Sequence, residues 1–156
     1  EREAELGFRL ASPSHSGGAG QADSQNENTS KAVQHLQNAV ELYGGDYLPE
    51  AQYEDWSSEE RERLQTIFLR AADRLAGLYL ERGQFEAGIG LCERILACDP
   101  CWEHAYRMMM MGYARLNLVP QAMKVYQRCA EALRTELGIP PSAATQAVFE
   151  ELGERR

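Results

Sequence analysis

The chain has 156 residues, 44% of them hydrophobic, and its 24 Asp and Glu outweigh 16 Lys and Arg to give a net charge of −8. That length suits a single domain able to bury a core without a metal or disulfide staple. The charge excludes this segment as a grip on a phosphate backbone, which needs clustered Lys and Arg, although a neighbouring domain of the same protein can still bind DNA. The longest apolar stretch falls far short of the ~20 residues that span a bilayer, and no secretion signal opens the chain. A cytoplasmic location is therefore expected, with no membrane contact and with Cys92, Cys98, Cys101 and Cys129 as reduced thiols. The chain starts at Glu1 inside a charged, helical stretch, which reads as the start of a fragment.

Residues 1–11 carry Ala4, Phe8 and Ala11 with Leu6 and Leu10 interleaved and predict a short helix. Residues 12–30 are Gly, Ser, Asn and Gln with almost nothing a core can use, so a flexible insertion is expected there. Order should return at Ser30 as an N-cap, and Ala32, Val33, Leu36, Ala39, Val40 and Tyr43 then recur at helical spacing. Gly44-Gly45 should end that helix, and residues 46–56 read as a structured loop with anchored aromatics. Ser57 and Glu60 form an S-x-x-E capping box ahead of the clearest helix. Its stripe is Leu64, Ile67, Phe68, Ala71, Ala72, Leu75, Leu78 and Tyr79, and Gly83 closes it. A helix with Phe85, Ile89, Cys92, Ile95 and Leu96 follows, and Asp99-Pro100 should cap the next one. That next helix bears Trp102, Ala105, Tyr106, Met109, Met110, Tyr113 and Leu116. After Asn117 comes another, with Val119, Ala122, Met123, Tyr126, Cys129, Ala130 and Leu133. Gly138-Ile139-Pro140-Pro141 breaks the pattern before Ser142 caps a last helix with Val148, Phe149 and Leu152. No strand-like alternation competes.

A shift of 34 residues superimposes Tyr79 on Tyr113, Gly83 on Asn117, Gly88 on Ala122 and Cys92 on Tyr126. Residues 69–102 and 103–136 thus form two helix-turn-helix units at the tetratricopeptide period, with small residues (Ala76, Gly88, Ala122) where helices approach and Pro100 between units. One helix pair cannot bury its apolar face alone, so stacking is required, and helices 31–43 and 142–152 are expected as a degenerate repeat and a cap. The expectation is an all-α, tetratricopeptide-like domain of about seven helices over residues 1–156.

Few residues offer chemistry. Cys98-x-x-Cys101 has no second ligand pair for zinc and follows a helix rather than a strand, so it reads as turn residues, not a metal or redox centre. Of Met108 to Met111, Met109 and Met110 continue the core stripe, whereas Met108 and Met111 point elsewhere, Met111 as an adaptable exposed contact. His35 and Gln34 should face solvent. His104 falls with Arg107, Met111 and Arg115 on the inner face of the repeats, beside Arg70 and Asp73 of the preceding one. No nucleophile, base and orienting group are spaced for catalysis and no phosphate loop exists, so neither an enzyme nor a cofactor is expected. The six residues read instead as a face for an acidic peptide or a neighbouring domain.

Residues 42–64, LYGGDYLPEAQYEDWSSEERERL, together with residues 134–142, RTELGIPPS, resemble the bacterial transcriptional activator domain of antibiotic-regulatory-type transcription regulators. Tyr43, Gly45, Asp46, Leu48, Tyr53, Trp56, Arg61 and Leu64 match the first motif, and Glu136, Leu137, Gly138, Pro141 and Ser142 the second. The resemblance implies that Tyr43, Gly45, Asp46, Leu48, Tyr53, Trp56, Gly138 and Pro141 are structural anchors. It implies a winged-helix DNA-binding domain upstream of Glu1, and partners among RNA polymerase, that DNA-binding domain or a second copy. The stretch 12–30 departs from the short turn the family has there. The expected function is a regulatory interaction module of a transcription activator, one that dimerises, receives a signal, or contacts RNA polymerase or the adjoining DNA-binding domain. Alternatives are a stand-alone peptide-binding scaffold and a small-molecule sensor with a ligand near Tyr79, His104, Met111 and Tyr113.

Overall fold

The computed structural model describes residues 1–11, 21–43 and 55–154, with side chains described for 1–11, 27–43 and 58–154. Among these residues the chain is all helical. In order, the helices are α1 (Arg2–Ala11), α2 (Gln21–Leu42), α3 (Asp55–Glu81), α4 (Phe85–Cys98), α5 (Glu103–Arg115), α6 (Val119–Glu136) and α7 (Ala143–Glu154). The chain has two compact units, residues 1–75 and 76–156.

In the first unit α1 pairs with α2 through a face of small residues. Ala4, Gly7 and Ala11 are its buried positions, and α2 answers with Ala32, Val33, Leu36 and Val40. A Cβ on Gly7 would stand 2.6 Å from Leu36 Cγ, so the approach requires the missing side chain. One contact ties the hairpin together and two hold it to α3. His35 Nδ1 lies 2.7 Å from Glu3 Oε2, Arg70 sits 5.3 Å over the Phe8 ring, and the Arg74 guanidinium donates to the Ala11 carbonyl at the end of α1. His35, expected in solvent, is thus half-buried.

Two expected boundaries move. The α2 backbone is helical from Gln21, so Ser30 lies inside the helix and does not cap it. Lys31 pairs with Glu27 one turn back at 2.6 Å, and adding turns to a helix already anchored on α1 costs little, since only nucleation is expensive. Of the insertion expected over 12–30, residues 12–20 lie outside the described residues. At α3 the helix begins at Asp55, which puts Ser57 within its first turn. The Glu60 carboxylate receives Arg63 on both oxygens at 3.0 Å, so the capping box is replaced by an i, i+3 ion pair.

The second unit reproduces the 34-residue register bond for bond. Gly83 N–H donates to Leu80 O and Gln84 N–H to Tyr79 O, at 3.0 and 2.8 Å. Asn117 N–H and Leu118 N–H make the same bonds to Ala114 O and Tyr113 O, at 3.1 and 2.8 Å. Both turns are Schellman closures with a left-handed residue, Gly83 at φ 73° and Asn117 at φ 59°. Gly and Asn are the residues that tolerate this conformation, which explains why these two superimpose in the sequence. Close packing follows the same logic. A Cβ on Gly112 would meet Ile89 Cγ1 at 3.0 Å and Leu80 Cδ2 at 3.2 Å, and Gly88 faces Leu80 and the Ala76 carbonyl.

The α4–α5 connection differs from expectation. Asp99 ends α4 rather than capping α5; its Oδ1 accepts the Cys101 N–H at 2.8 Å, an Asx turn, and α5 starts only at Glu103. Tyr106 then reaches back, its hydroxyl donating to the Pro100 carbonyl at 3.0 Å. Gly138, at φ 68°, closes α6, while Tyr126 and Phe149 stack at 4.0 Å to seat α7 on it.

Candidate functional site

Helix α5 packs against α4, α6 and α7 and, through Gly112, against Leu80. That leaves it a single exposed line. Of its 13 residues only His104, Met111 and Arg115 are exposed, and Met111 shows 44% of its surface. At about 100° per residue these three fall within about 40° of one another on the helix wheel. The buried line of Met108 and Gly112 borders them on one side and Arg107 on the other. Met108, expected to point away from the core, is 2% exposed and belongs with Met109 and Met110.

Arg107 is turned elsewhere. It is half-buried and its Nη1 donates to Thr145 Oγ1 of α7 at 3.0 Å. Thr145, fully buried, in turn donates to Glu103 Oε2 at 2.5 Å, and the same oxygen accepts the Ser142 N–H at 3.0 Å and the Ser142 hydroxyl at 2.8 Å. Ser142 thus precedes α7 as the sequence suggests, but its hydroxyl is committed to a carboxylate from α5, which sits at the positive end of α7. Burial favours the neutral acid at Glu103, yet the hydrogen bonds from Thr145 and Ser142 and the charge of Arg107 hold its carboxyl below the usual range. Neither Glu103 nor Thr145 stood out in the sequence. The available signals were Ser142 and Thr145 at i, i+3 and an acidic residue opening α5, all too common to single out.

Arg70 and Asp73 belong to the first unit. Arg70 is exposed over Phe8, and Asp73 is half-buried. The first unit also carries most of the acidity: residues 1–75 hold fourteen of the 24 acidic residues but only seven of the 16 basic ones. The second unit is close to neutral, and Arg115 stands on it without an ion pair among the described residues.

Two of the four thiols lie in the core, and burial raises two of them. Cys92 and Cys129 are buried, and burial pushes the Cys129 thiol up to about 12. Cys101 is raised by burial and then by the charges of Asp99 and Glu136, the reverse of what activates a thiol. Among the described residues no three His, Cys, Asp or Glu gather as a metal site, and no helix is long and apolar enough to cross a membrane.

Of the motif residues, Tyr43 stacks on Phe68 at 4.4 Å, Gly138 supplies the left-handed closure of α6, and Pro141 is buried. Trp56 lies within α3, and Gly45, Asp46, Leu48 and Tyr53 fall outside the described residues.

Residues 14–152 match the bacterial transcriptional activator domain family. Two curated relatives are each 24% identical over 123 residues: the transcriptional regulatory protein MoaR1 of Mycobacterium tuberculosis (strain ATCC 25618 / H37Rv) and that of Mycobacterium bovis (strain BCG / Pasteur 1173P2). The match covers 79% of this chain but 40% of either relative, so the chain spans well under half the length of the regulators it resembles. A described fold made wholly of helices, a repeat that recurs bond for bond, and a family match over most of the sequence lead to one conclusion: the chain belongs to the bacterial transcriptional activator domain family.

Proposed function

We propose that this domain regulates transcription by contacting protein rather than DNA, and that the exposed line of α5 is its contact surface. The observation that carries this reading is the composition of that line. On a helix packed on its other sides, the exposed residues are one adaptable thioether and two side chains able to donate hydrogen bonds, His104 and Arg115. RNA polymerase, the regulator's own DNA-binding domain or a second copy would each dock by packing on Met111 with charge setting specificity. A net charge of −8 supports leaving the phosphate backbone to another domain.

The test is duplex binding by residues 1–156. No affinity for duplex at moderate salt is expected, whatever the sequence. Tight binding that weakens steeply as salt rises would show phosphate neutralisation by this domain and overturn the reading.

A further inference from the structure

We infer that α7 is a hinged arm that detaches as one piece while the rest of residues 76–156 stays folded, and that in its closed position it covers the Cys129 thiol. Its seat is shallow. Of its 12 residues only Thr145 and Leu152 are buried, whereas the 13-residue α5 buries Ala105, Tyr106, Met108, Met109, Met110 and Gly112. What fastens α7 is one ring stack, Phe149 on Tyr126, and the polar set around Glu103. Thr145, the Ser142 hydroxyl and the Ser142 N–H all bond to the same Glu103 oxygen, so these bonds form and break together. Few buried apolar groups and one shared polar anchor place an element at the low end of local stability.

The arm is able to move intact. Its first turn is closed by its own bonds, Thr145 N–H and Gln146 N–H to the Ser142 carbonyl and the Gln146 amide to the Pro141 carbonyl, at 3.0, 3.0 and 2.7 Å. Leu137, Gly138, Ile139 and Pro140, which join it to α6, are all exposed, and Gly138 has the freedom of a left-handed glycine. The charges left behind also have an outlet. Glu103 and Arg107 are four residues apart on α5 with the acid first, the favoured order for an ion pair along a helix.

Cys129 marks the closed position. On α6 it falls within about 60° of Tyr126, whose ring carries Phe149 of α7. After burial, the charge of Glu103 raises its thiol and that of Arg107 lowers it, so the thiol lies beside the two α5 residues that clasp α7. Cys92 is equally buried but belongs to α4, whereas α7 packs on α5 and α6. Local unfolding of α7 therefore bares Cys129 and leaves Cys92 in the core.

The experiment labels the full chain with a small disulfide reagent below the unfolding transition and follows the Cys129 and Cys92 peptides separately by mass spectrometry. Cys129 should label slowly, yet faster than Cys92, and its rate should rise less steeply with urea because a departing α7 exposes less surface. Thr145→Val should speed Cys129 labelling about fivefold to thirtyfold. Ile95→Val, in the core of α4, should speed Cys92 severalfold and leave Cys129 unchanged. Should Thr145→Val fail to fold, Phe149→Leu removes the stack and carries the same expectation. Cys129 labelling no faster than Cys92, an Ile95→Val change that speeds both alike, or a clasp variant that leaves Cys129 unchanged overturns the inference.

Discussion

Replacing Thr145 by Val removes one hydroxyl from a fully buried site and keeps the volume and branching of the side chain. The loss falls on two bonds: the donation to Glu103 Oε2 at 2.5 Å and the acceptance from Arg107 Nη1 at 3.0 Å. Each involves a charged partner, and such bonds contribute roughly 1.5–3 kcal/mol where fully shielded. Glu103 and Arg107 are only half-buried and keep other donors or water, so the expected net cost is about 1–2 kcal/mol. For a chain of this size that lowers the melting temperature by about 2–8 °C. Urea titration followed by circular dichroism measures it, with the slope unchanged if the native state stays compact. Thr145→Ser keeps the hydroxyl and should lose less. A Val variant as stable as the parent, or a Ser variant as damaged as Val, would show that the polar clasp does not hold α7.

Other outcomes follow from named features. Because Glu103 is held below its ordinary value of 4.5, its contribution is fully present above that pH and is lost as pH falls through the lowered value. The stability difference between the parent and Glu103→Gln should therefore be flat at neutral pH and shrink below about 4.5, whereas a difference that grows on acidification would contradict the sign. Gly83→Ala places a Cβ at φ 73° and should cost about 1–2 kcal/mol, while Asn117→Gly should be neutral or slightly stabilising; equal melting curves for Gly83→Ala and the parent would refute the closure. In the native protein Cys129 should resist a thiol-labelling disulfide reagent at neutral pH and react only on unfolding, as its burial and raised thiol dictate; rapid native labelling at Cys129 would contradict both.

Much of the second unit was legible because its repeat is local. Gly83 and Asn117 superimpose in the sequence since each turn needs a left-handed residue, and the bonds that make that need are the same six-residue closure in both places. The helix ends that rest on tertiary context were misplaced. Asp99 looks like an N-cap in isolation, but Tyr106 binding the Pro100 carbonyl and the Asx turn to Cys101 delay α5 to Glu103. Ser57 and Ser30 fail as caps for a related reason: their helices extend past them, one closed by Arg63 on Glu60, the other continued by Lys31 on Glu27. In the first unit the buried face of α1 was partly legible through Ala4 and Ala11, but its tightest position is Gly7, which is defined by what Leu36 needs and not by its own hydrophobicity. The exposed line of α5 was half legible: helical spacing grouped His104, Met111 and Arg115, but only packing shows that Arg107 is committed to Thr145 and Met108 to the core.

The central claim, that this domain acts through protein contact at α5, is tested most directly by a reporter driven by the full-length regulator carrying Met111→Glu and Arg115→Glu, with promoter occupancy measured in the same cells. Both positions are exposed, so the fold and occupancy should persist while activation falls severalfold or is lost. Activation at the parent level, with the variant folded and bound to its promoter, would contradict the account.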